Sequence, residues 1–245
     1  MRNHSVRQDS LKWVWIDLDD TLIDFRANSR IALRLLYEKM ALSRFYACCD
    51  DWIDAYEKNN KSLWDRYNRA EITKDFLRIE RMRAVIADAW QGGSDDLVNL
   101  SWEMDRVYLA LLAEQKTLVE GAREMLDYLR GRKYNIGVLS NGFSQVQHLK
   151  IASAGLTGKI DLVILSDDIG VNKPDRRIYD YAMEKAGCPD PEAHVMIGDN
   201  PDTDIAGAVA AGWGAIYFNR GKAGAPVMHE QFVEIGSLSS VISLL

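Results

Sequence analysis

The strongest constraint on the fold is a regular alternation of two patterns in the part of the chain that follows Gly121. Short apolar runs without a polar face predict strands buried on both sides, at residues 135–139, 162–165, 195–197 and 215–218. Helical patterns at residues 122–130, 143–154, 177–186 and 201–211 separate these runs. Because strands joined by helices pair in parallel, the alternation predicts a parallel sheet covered by helices on both faces.

Glycines and one further apolar run complete this prediction. A glycine follows each predicted helix, where a left-handed residue commonly ends a helix: Gly131, Gly155, Gly187 and Gly212. Residues 13–16 predict one more strand, which runs into acidic residues. The segment after Asn219, with its glycines at 221 and 224, predicts a loop before a short final strand or helix.

Between Phe25 and Glu120 the sequence contains no run typical of a strand, and its apolar residues recur at helical spacing. One predicted helical face comprises Leu97, Leu100, Met104, Val107, Tyr108 and Leu111. A second comprises Phe76, Ile79, Met82, Ile86 and Trp90. We therefore expect an α/β core of the Rossmann-like, doubly wound kind at residues 1–24 and 116–245, with an all-helical domain inserted at 25–115.

Composition limits the classes of partner. The 245 residues contain 30 Lys and Arg against 36 Asp and Glu, for a formal net charge of −6. This acidic balance argues against a general binder of nucleic-acid polymers, whose contact face is basic. The chain has no apolar run of the roughly 18 residues that a membrane span needs, so no membrane partner is expected. Anionic small molecules remain possible ligands, because a local positive site can form in an acidic protein.

The termini and the rarer residue types predict a cytoplasmic protein with reduced thiols. The first twelve residues are polar and resemble no signal peptide. An odd number of cysteines does not suggest a disulfide framework, and this chain has three: Cys48, Cys49 and Cys188. The histidines are too far apart for a recognisable zinc site and are expected to be surface or packing residues: His4, His148, His194 and His229.

Carboxylates concentrate directly after the first predicted strand, at Asp17, Asp19 and Asp20. Ligands of open parallel sheets bind at the carboxyl ends of the strands. Three carboxylates at such a place repel each other unless a cation is bound, and Mg²⁺ is the hard cation that carboxylate oxygens suit. An acidic turn with a helix cap is the alternative interpretation.

Three other strand ends carry polar residues, each with a simpler structural explanation. Ser140 and Asn141 precede a helix whose N-terminus suits a phosphate oxygen, although a helix cap would look the same. Pro174 favours an extended backbone at Lys173, whose ammonium group could balance phosphate charge. Asp199 and the helical carboxylate five residues later complete the set. Together, these residues have the composition of a Mg²⁺-assisted phosphoryl-transfer site.

At these residues the chain resembles the haloacid dehalogenase-like (HAD) hydrolase superfamily. The match runs from Trp13 to about Phe218 and comprises D-x-D-x-T from Asp17 to Thr21, Ser140, Lys173, and G-D-x-x-x-x-D from Gly198 to Asp204. The resemblance implies a Rossmann-like core with a helical cap, and a phosphatase that forms an aspartyl-phosphate.

The resemblance also implies a role for each matched residue. Asp17 would be the nucleophile, and Asp19 the acid for the leaving alcohol and then the base for water. Mg²⁺ would bind the Asp17 and Asp199 side chains and the Asp19 carbonyl. Ser140 and Lys173 would hold the phosphate, with Asn141 beside them. Asp204 would reach the metal only through water or by orienting the lysine.

The predicted cap resembles that of the pyrimidine 5′-nucleotidase subgroup at residues 59–67 and 71–73. This resemblance implies a small-molecule substrate, a pyrimidine nucleoside 5′-monophosphate, with Trp64 as a possible contact to it. Trp64 and Tyr67 also have the spacing of ordinary core residues. A sugar-phosphate phosphatase or phosphomutase would keep every core residue and is the main alternative. A dehalogenase, which needs no Mg²⁺, and a non-catalytic phosphate-binding module are weaker ones.

Overall fold

The computed structural model describes residues 10–245, so the N-terminal segment and His4 lie outside the described residues. The chain divides into two compact units. The core unit comprises the described residues up to Phe25 together with Lys116–Leu245, and the helical unit comprises Arg26–Gln115. The first boundary falls one residue after the predicted one. No helix within residues 10–245 is both long and apolar enough to cross a bilayer.

The core unit is built on a mostly parallel sheet. Its strands are β1 (Trp13–Ile16), β2 (Asn135–Ser140), β3 (Leu162–Leu165), β4 (His194–Gly198), β5 (Gly214–Phe218), β6 (Val227–Met228) and β7 (Val233–Ile235). They are ordered β3-β2-β1-β4-β5-β7-β6, and only the β6–β7 pair is antiparallel. The predicted α/β class and parallel sheet are confirmed. Strand order reverses beside β1, which has β2 on one side and β4 on the other, so the sheet has the crevice in which such folds bind ligands.

The α-helices of the described chain divide between the two units. The helical unit contains most of α1 (Phe25–Lys39), and all of α2 (Cys49–Asn68), α3 (Lys74–Arg83) and α4 (Ser94–Ala113). The core unit contains α5 (Ala122–Gly131), α6 (Ser144–Ser153), α7 (Ser166–Ile169), α8 (Arg176–Lys185), α9 (Ala206–Ala211) and α10 (Val241–Leu244). A π-helical turn, Pro201–Ile205, leads into α9, where the sequence predicts regular helix from residue 201.

Both faces of the sheet are buried, which explains why its strands lack a polar side. Side chains alternate along β1, so that Val14 and Ile16 join one apolar cluster and Trp13 and Trp15 join the other. In the second cluster the His194 ring stacks on Trp213, with ring centroids 4.8 Å apart. His194 is therefore a packing residue, as predicted.

One of the predicted glycine caps is wrong. Gly131 is the last residue of α5 rather than a left-handed cap, and Lys133 takes positive φ, at 65°. The other three predicted glycine caps all have positive φ. The tail beyond Asn219 forms two strands, β6 and β7, that extend the sheet, and ends in α10.

The helical unit confirms the all-helical prediction but changes one of its faces. Helix α3 ends at Arg83, so it cannot carry a face that continues to residue 90. Phe76 is 43% exposed, whereas Leu77 and Arg81 are buried. The buried Asp105 carboxylate on α4 explains this, because it accepts hydrogen bonds from Arg81 and pairs with Arg78. A search for apolar periodicity cannot detect a buried charged pair, because neither of its residues is apolar.

Candidate active site

Polar side chains that follow four strands meet at the carboxyl edge of the sheet. Lys173 was predicted at a strand end but lies in the loop after α7, the short helix that separates it from β3. The backbone N–H of Asp17 still follows the ladder, donating to the Ile197 carbonyl at 2.9 Å, so Asp17 begins where β1 ends. Chain reversal follows at once, because the N–H groups of residues 22 and 23 both donate to the Leu18 carbonyl. Asp20 takes positive φ, at 59°, inside this turn. The turn keeps the carboxylates of the first motif at the sheet edge.

Lys173 lies at the centre of the cluster. Its Nζ donates to Asp17 Oδ1 at 2.6 Å, to Asp204 Oδ1 at 2.6 Å and to the Leu139 carbonyl at 2.7 Å. These three acceptors match the three protons of an ammonium group. Burial alone would lower the pKa of Lys173, but the two carboxylates outweigh it and hold the pKa above its ordinary value. The lysine is thus a fixed cation that orients Asp17.

Asn141 holds the backbone of this lysine. Its Nδ2 donates to the Lys173 carbonyl at 3.0 Å, and its Oδ1 accepts from the Lys173 N–H at 2.8 Å. The side chain proposed from the sequence as part of the phosphate site is therefore engaged with the protein backbone. Its observed role is to place Lys173.

Three carboxylates in this cluster fit a divalent cation. Asp17, Asp199 and Asp204 each offer an oxygen within 4.8 Å of the others. Burial raises the pKa of Asp17 well above its ordinary value, and burial with repulsion from Asp204 raises that of Asp199 to about 7. One lysine ammonium balances one of the three negative charges. A hard cation such as Mg²⁺ would balance the other two and relieve this repulsion.

The local geometry around Asp204 explains the glycine of the second acidic motif. Asp204 Oδ2 accepts from the Asn200 N–H at 3.1 Å, so the carboxylate folds back over the start of its own helical turn. A Cβ at Gly198 would lie 2.2 Å from that oxygen. The Asn200 side chain caps the same turn by accepting from the N–H groups of residues 202 and 203. Gly198 is therefore required by the approach of Asp204.

Two residues that the sequence analysis did not single out contact Asp19. Gln147 Nε2 donates to Asp19 Oδ2 at 2.8 Å and to Ser140 Oγ at 2.8 Å. The ammonium of Lys150 forms an ion pair with Asp19 Oδ1. Both side chains lie on α6 and are almost completely buried. No local pattern in the sequence marks them, because their burial follows from the packing of α6 and not from apolar periodicity.

The predicted substrate contact lies outside the core unit. Trp64 is on α2 in the helical unit, is half-buried, and meets the Tyr67 ring edge-on with centroids 5.5 Å apart. It is not one of the fully buried core residues of that unit, unlike Trp52 on the same helix. A half-buried indole is compatible with ligand contact.

Comparison with known proteins agrees with this geometry. The sequence profile of haloacid dehalogenase-like hydrolases matches residues 11–212. Pyrimidine 5′-nucleotidase YjjG of Escherichia coli (strain K12) is 31% identical over 211 residues, covering 85% of this chain and 87% of YjjG. Pyrimidine 5′-nucleotidase PynA of Streptococcus pneumoniae (strain ATCC BAA-255 / R6) is 29% identical over 213 residues, covering 85% and 84%.

A solved structure shows the same fold. The magnesium-bound putative HAD-hydrolase YfnB from Bacillus subtilis superposes with a TM-score of 0.83 at 24% identity, covering 96% of this chain and 98% of that one. The profile match spans most of the chain, and the matched segment contains every strand end that contributes to the site. The chain therefore belongs to the haloacid dehalogenase-like hydrolases.

Proposed function

We propose that this protein is a Mg²⁺-dependent phosphatase that hydrolyses pyrimidine nucleoside 5′-monophosphates through an aspartyl-phosphate. The observation that carries the proposal is the buried Asp17–Lys173–Asp204 arrangement with Asp199 beside it. It presents one carboxylate as a nucleophile next to a fixed cation. Such a site suits attack on a phosphate dianion, where like charges must be neutralised.

The proposed reaction has two halves that balance in protons. A carboxylate oxygen of Asp17 attacks phosphorus, the bond to the ester oxygen breaks, and Asp19 gives its proton to the departing alkoxide. Water then attacks the same phosphorus and gives a proton to Asp19. The bond from phosphorus to Asp17 breaks, which releases phosphate and restores both carboxyl groups.

The metal would be held by residues of the same cluster. The Asp17 and Asp199 side chains and the Asp19 backbone carbonyl are the proposed ligands, and Asp204 would act through Lys173, to which it is hydrogen-bonded. Bound Mg²⁺ supplies charge neutralisation for phosphate and nucleophile. Thr21 supports this assignment, because its hydroxyl donates to Asp199 Oδ1 at 3.2 Å and so orients that carboxylate.

The substrate class rests on the relatives and on the helical unit. YjjG and PynA, both pyrimidine 5′-nucleotidases, match over 85% of this chain, helical unit included. Trp64 offers a half-buried indole on that unit, and aromatic rings stack on bases of any sequence. A sugar-phosphate phosphatase would share every residue of the core site.

The test is phosphate release from thymidine and uridine 5′-monophosphates, a panel of sugar phosphates and a generic aryl phosphate, with Mg²⁺ or with chelator. We expect turnover of the pyrimidine nucleotides to exceed that of the sugar phosphates and to require metal. Asp17→Asn should abolish it, and exposed Asp168→Asn should not. Turnover in chelator would contradict the metal assignment, and preference for sugar phosphates would contradict the substrate class.

A further inference from the structure

Both oxygens of the Asp19 carboxylate are held by one helix. Lys150 pairs with Oδ1, and Gln147 Nε2 donates to Oδ2 at 2.8 Å. The two donors are also joined to each other, since Lys150 Nζ donates to Gln147 Oε1 at 2.7 Å. The Lys150 ammonium also lies over the Phe25 ring, with Nζ 5.3 Å from the ring centroid. The carboxylate therefore cannot rotate without breaking contacts to α6.

Gln147 also sets the hydrogen-bonding state of Ser140. Ser140 Oγ accepts from Gln147 Nε2 at 2.8 Å and from the Gly142 N–H at 3.2 Å. A hydroxyl has two lone pairs and one proton. With both lone pairs occupied, the Ser140 hydroxyl can act only as a donor, which is the state that a phosphate oxygen requires. The Gln147 amide therefore contacts both Asp19, the candidate acid, and Ser140, the candidate phosphate donor.

The residues of this network are a poor choice for fold stability. Lys150 is only 2% exposed, and burying an ammonium for one carboxylate stabilises a fold little compared with an apolar pair. Gly142 is needed for it as well, because a Cβ there would lie 2.0 Å from Gln147 Nε2. Fold stability alone gives no reason for these choices.

We propose that Gln147 and Lys150 are positioning residues that aim the Asp19 carboxyl at the leaving oxygen of the substrate, and that Gln147 in addition fixes Ser140 as a phosphate donor. The inference rests on the proposed function. When Asp19 gives its proton to the departing oxygen, the carboxylate that remains is the group that these two side chains stabilise. The same contacts hold it ready to take a proton from water in the second half of the reaction.

A leaving group that needs no proton should be insensitive to the loss of Lys150. Phenyl phosphate and 2,4-dinitrophenyl phosphate are both aryl phosphates, but phenolate departs far better when protonated and dinitrophenolate needs no acid. The ratio kcat/KM includes only the steps up to departure of the alcohol, so it excludes hydrolysis of the aspartyl-phosphate. Comparing the two esters therefore isolates the proton given by Asp19.

We expect Lys150→Met to lower kcat/KM for phenyl phosphate by about 10–100-fold, a part of what general acid catalysis contributes, and to leave that for the dinitrophenyl ester nearly unchanged. Lys150→Arg should recover part of the loss. Gln147→Met should show the same selective loss together with a higher KM for both esters, because Ser140 is also affected. Gln145→Met, at an exposed position of the same helix, is the matched control and should behave as wild type.

Equal losses on the two esters for Lys150→Met, or no loss on either, would overturn the positioning role while leaving the proposed function intact. A wild-type protein that hydrolyses neither ester would overturn the proposed function and the positioning role with it. Thermal melting of each variant separates these results from misfolding. If Lys150→Met melts below the assay temperature, Lys150→Arg and Gln147→Met decide by the same comparison.

Discussion

Asp199 and Asp204 have identical side chains, but their different hydrogen bonds suit them to different roles. Asp204 is tied to Lys173 and to the Asn200 N–H, so both of its oxygens already have protein donors. Asp199 is tied through one oxygen to Thr21 and has its pKa raised to about 7, chiefly by burial. Asp199 is thus the carboxylate better placed to give an oxygen to a cation.

We therefore predict that Asp199→Ala loses nearly all activity and is poorly rescued by added Mg²⁺. Asp204→Ala should keep a measurable rate, with a loss of about 10–100-fold, as is typical when a residue that orients a metal ligand is removed. Its rate should rise with Mg²⁺ concentration. Titrating both variants with metal checks this, and the opposite ranking would exchange the two assignments.

His194 predicts a pH dependence of stability that is separate from the site. Its Nδ1 accepts from Trp15 Nε1 at 2.9 Å, so its Nε2 carries the proton and donates to the Cys188 carbonyl. Burial lowers its pKa below the ordinary 6.5 in spite of that second bond. As the pH falls below about 6.5, the unfolded chain binds a proton that the folded ring does not, so the contribution of His194 to the free energy of unfolding decreases.

Urea unfolding between about pH 5 and 8 measures this effect. Toward the acid end wild type should lose stability relative to His194→Gln, and this difference separates His194 from Asp17 and Asp199, whose raised pKa values change stability in the opposite direction. His148→Gln, at an exposed position on α6, should keep the wild-type slope. Identical slopes for wild type and His194→Gln would show that His194 does not carry the effect.

At the scale of elements, the end of α5 differs from the end of α8 although both carry a glycine. Gly131 lies within α5 and has open space where a side-chain methyl group would lie, whereas Gly187 follows α8 with φ of 61°. Alanine favours a helix over glycine by up to about 1 kcal/mol, while left-handed backbone costs a non-glycine residue about 1–2 kcal/mol. The same substitution should therefore have opposite effects at the two ends.

We predict that Gly131→Ala raises the free energy of unfolding by up to about 1 kcal/mol, and that Gly187→Ala lowers it by about 1–2 kcal/mol. Denaturant unfolding of the two variants beside wild type checks both signs. Destabilisation by Gly131→Ala would indicate that this position needs left-handed backbone after all, as the sequence pattern suggested.

At the scale of the whole molecule, chemistry and substrate choice are predicted to reside in different units. The carboxylates and Lys173 all belong to the core unit, and Trp64 belongs to the helical unit. If the indole stacks on the nucleobase, Trp64→Ala should remove about 1–3 kcal/mol of binding. KM for pyrimidine nucleotides should then rise much more than KM for a small aryl phosphate.

Steady-state kinetics on both substrates measure this difference. Trp102→Ala is the matched control, because Trp102 is another half-buried tryptophan of the helical unit, stacked under Arg78. Equal losses on nucleotide and aryl phosphate with Trp64→Ala, together with a lower melting temperature, would identify Trp64 as a packing residue instead.

The parallel sheet and the polar residues near its strand ends could be predicted from local sequence patterns. Strands buried on both sides have unbroken apolar runs, and Asp17, Ser140 and Asp199 lie at or directly after their ends, so both signals are local. For the tail the sequence predicted only a loop before a short final strand or helix, and it did not locate β7, because Glu234 lies at the centre of that strand. That carboxylate is bound by Asn219, Lys222 and His229, whose hydrogen bonds lower its pKa to about 2, and such partners leave no apolar pattern.

Which polar groups contact each other could not be predicted from the sequence. Asp19 and Lys150 are separated by 131 positions, and Arg81 and Asp105 by 24, yet each pair is held in direct contact. Periodicity reports which side of an element avoids water, because apolar burial depends on area and not on the partner. A buried charge or amide, in contrast, is tolerated only where a specific partner from another element satisfies it. That partner is set by the packing of elements, and with it the environment of Asp19.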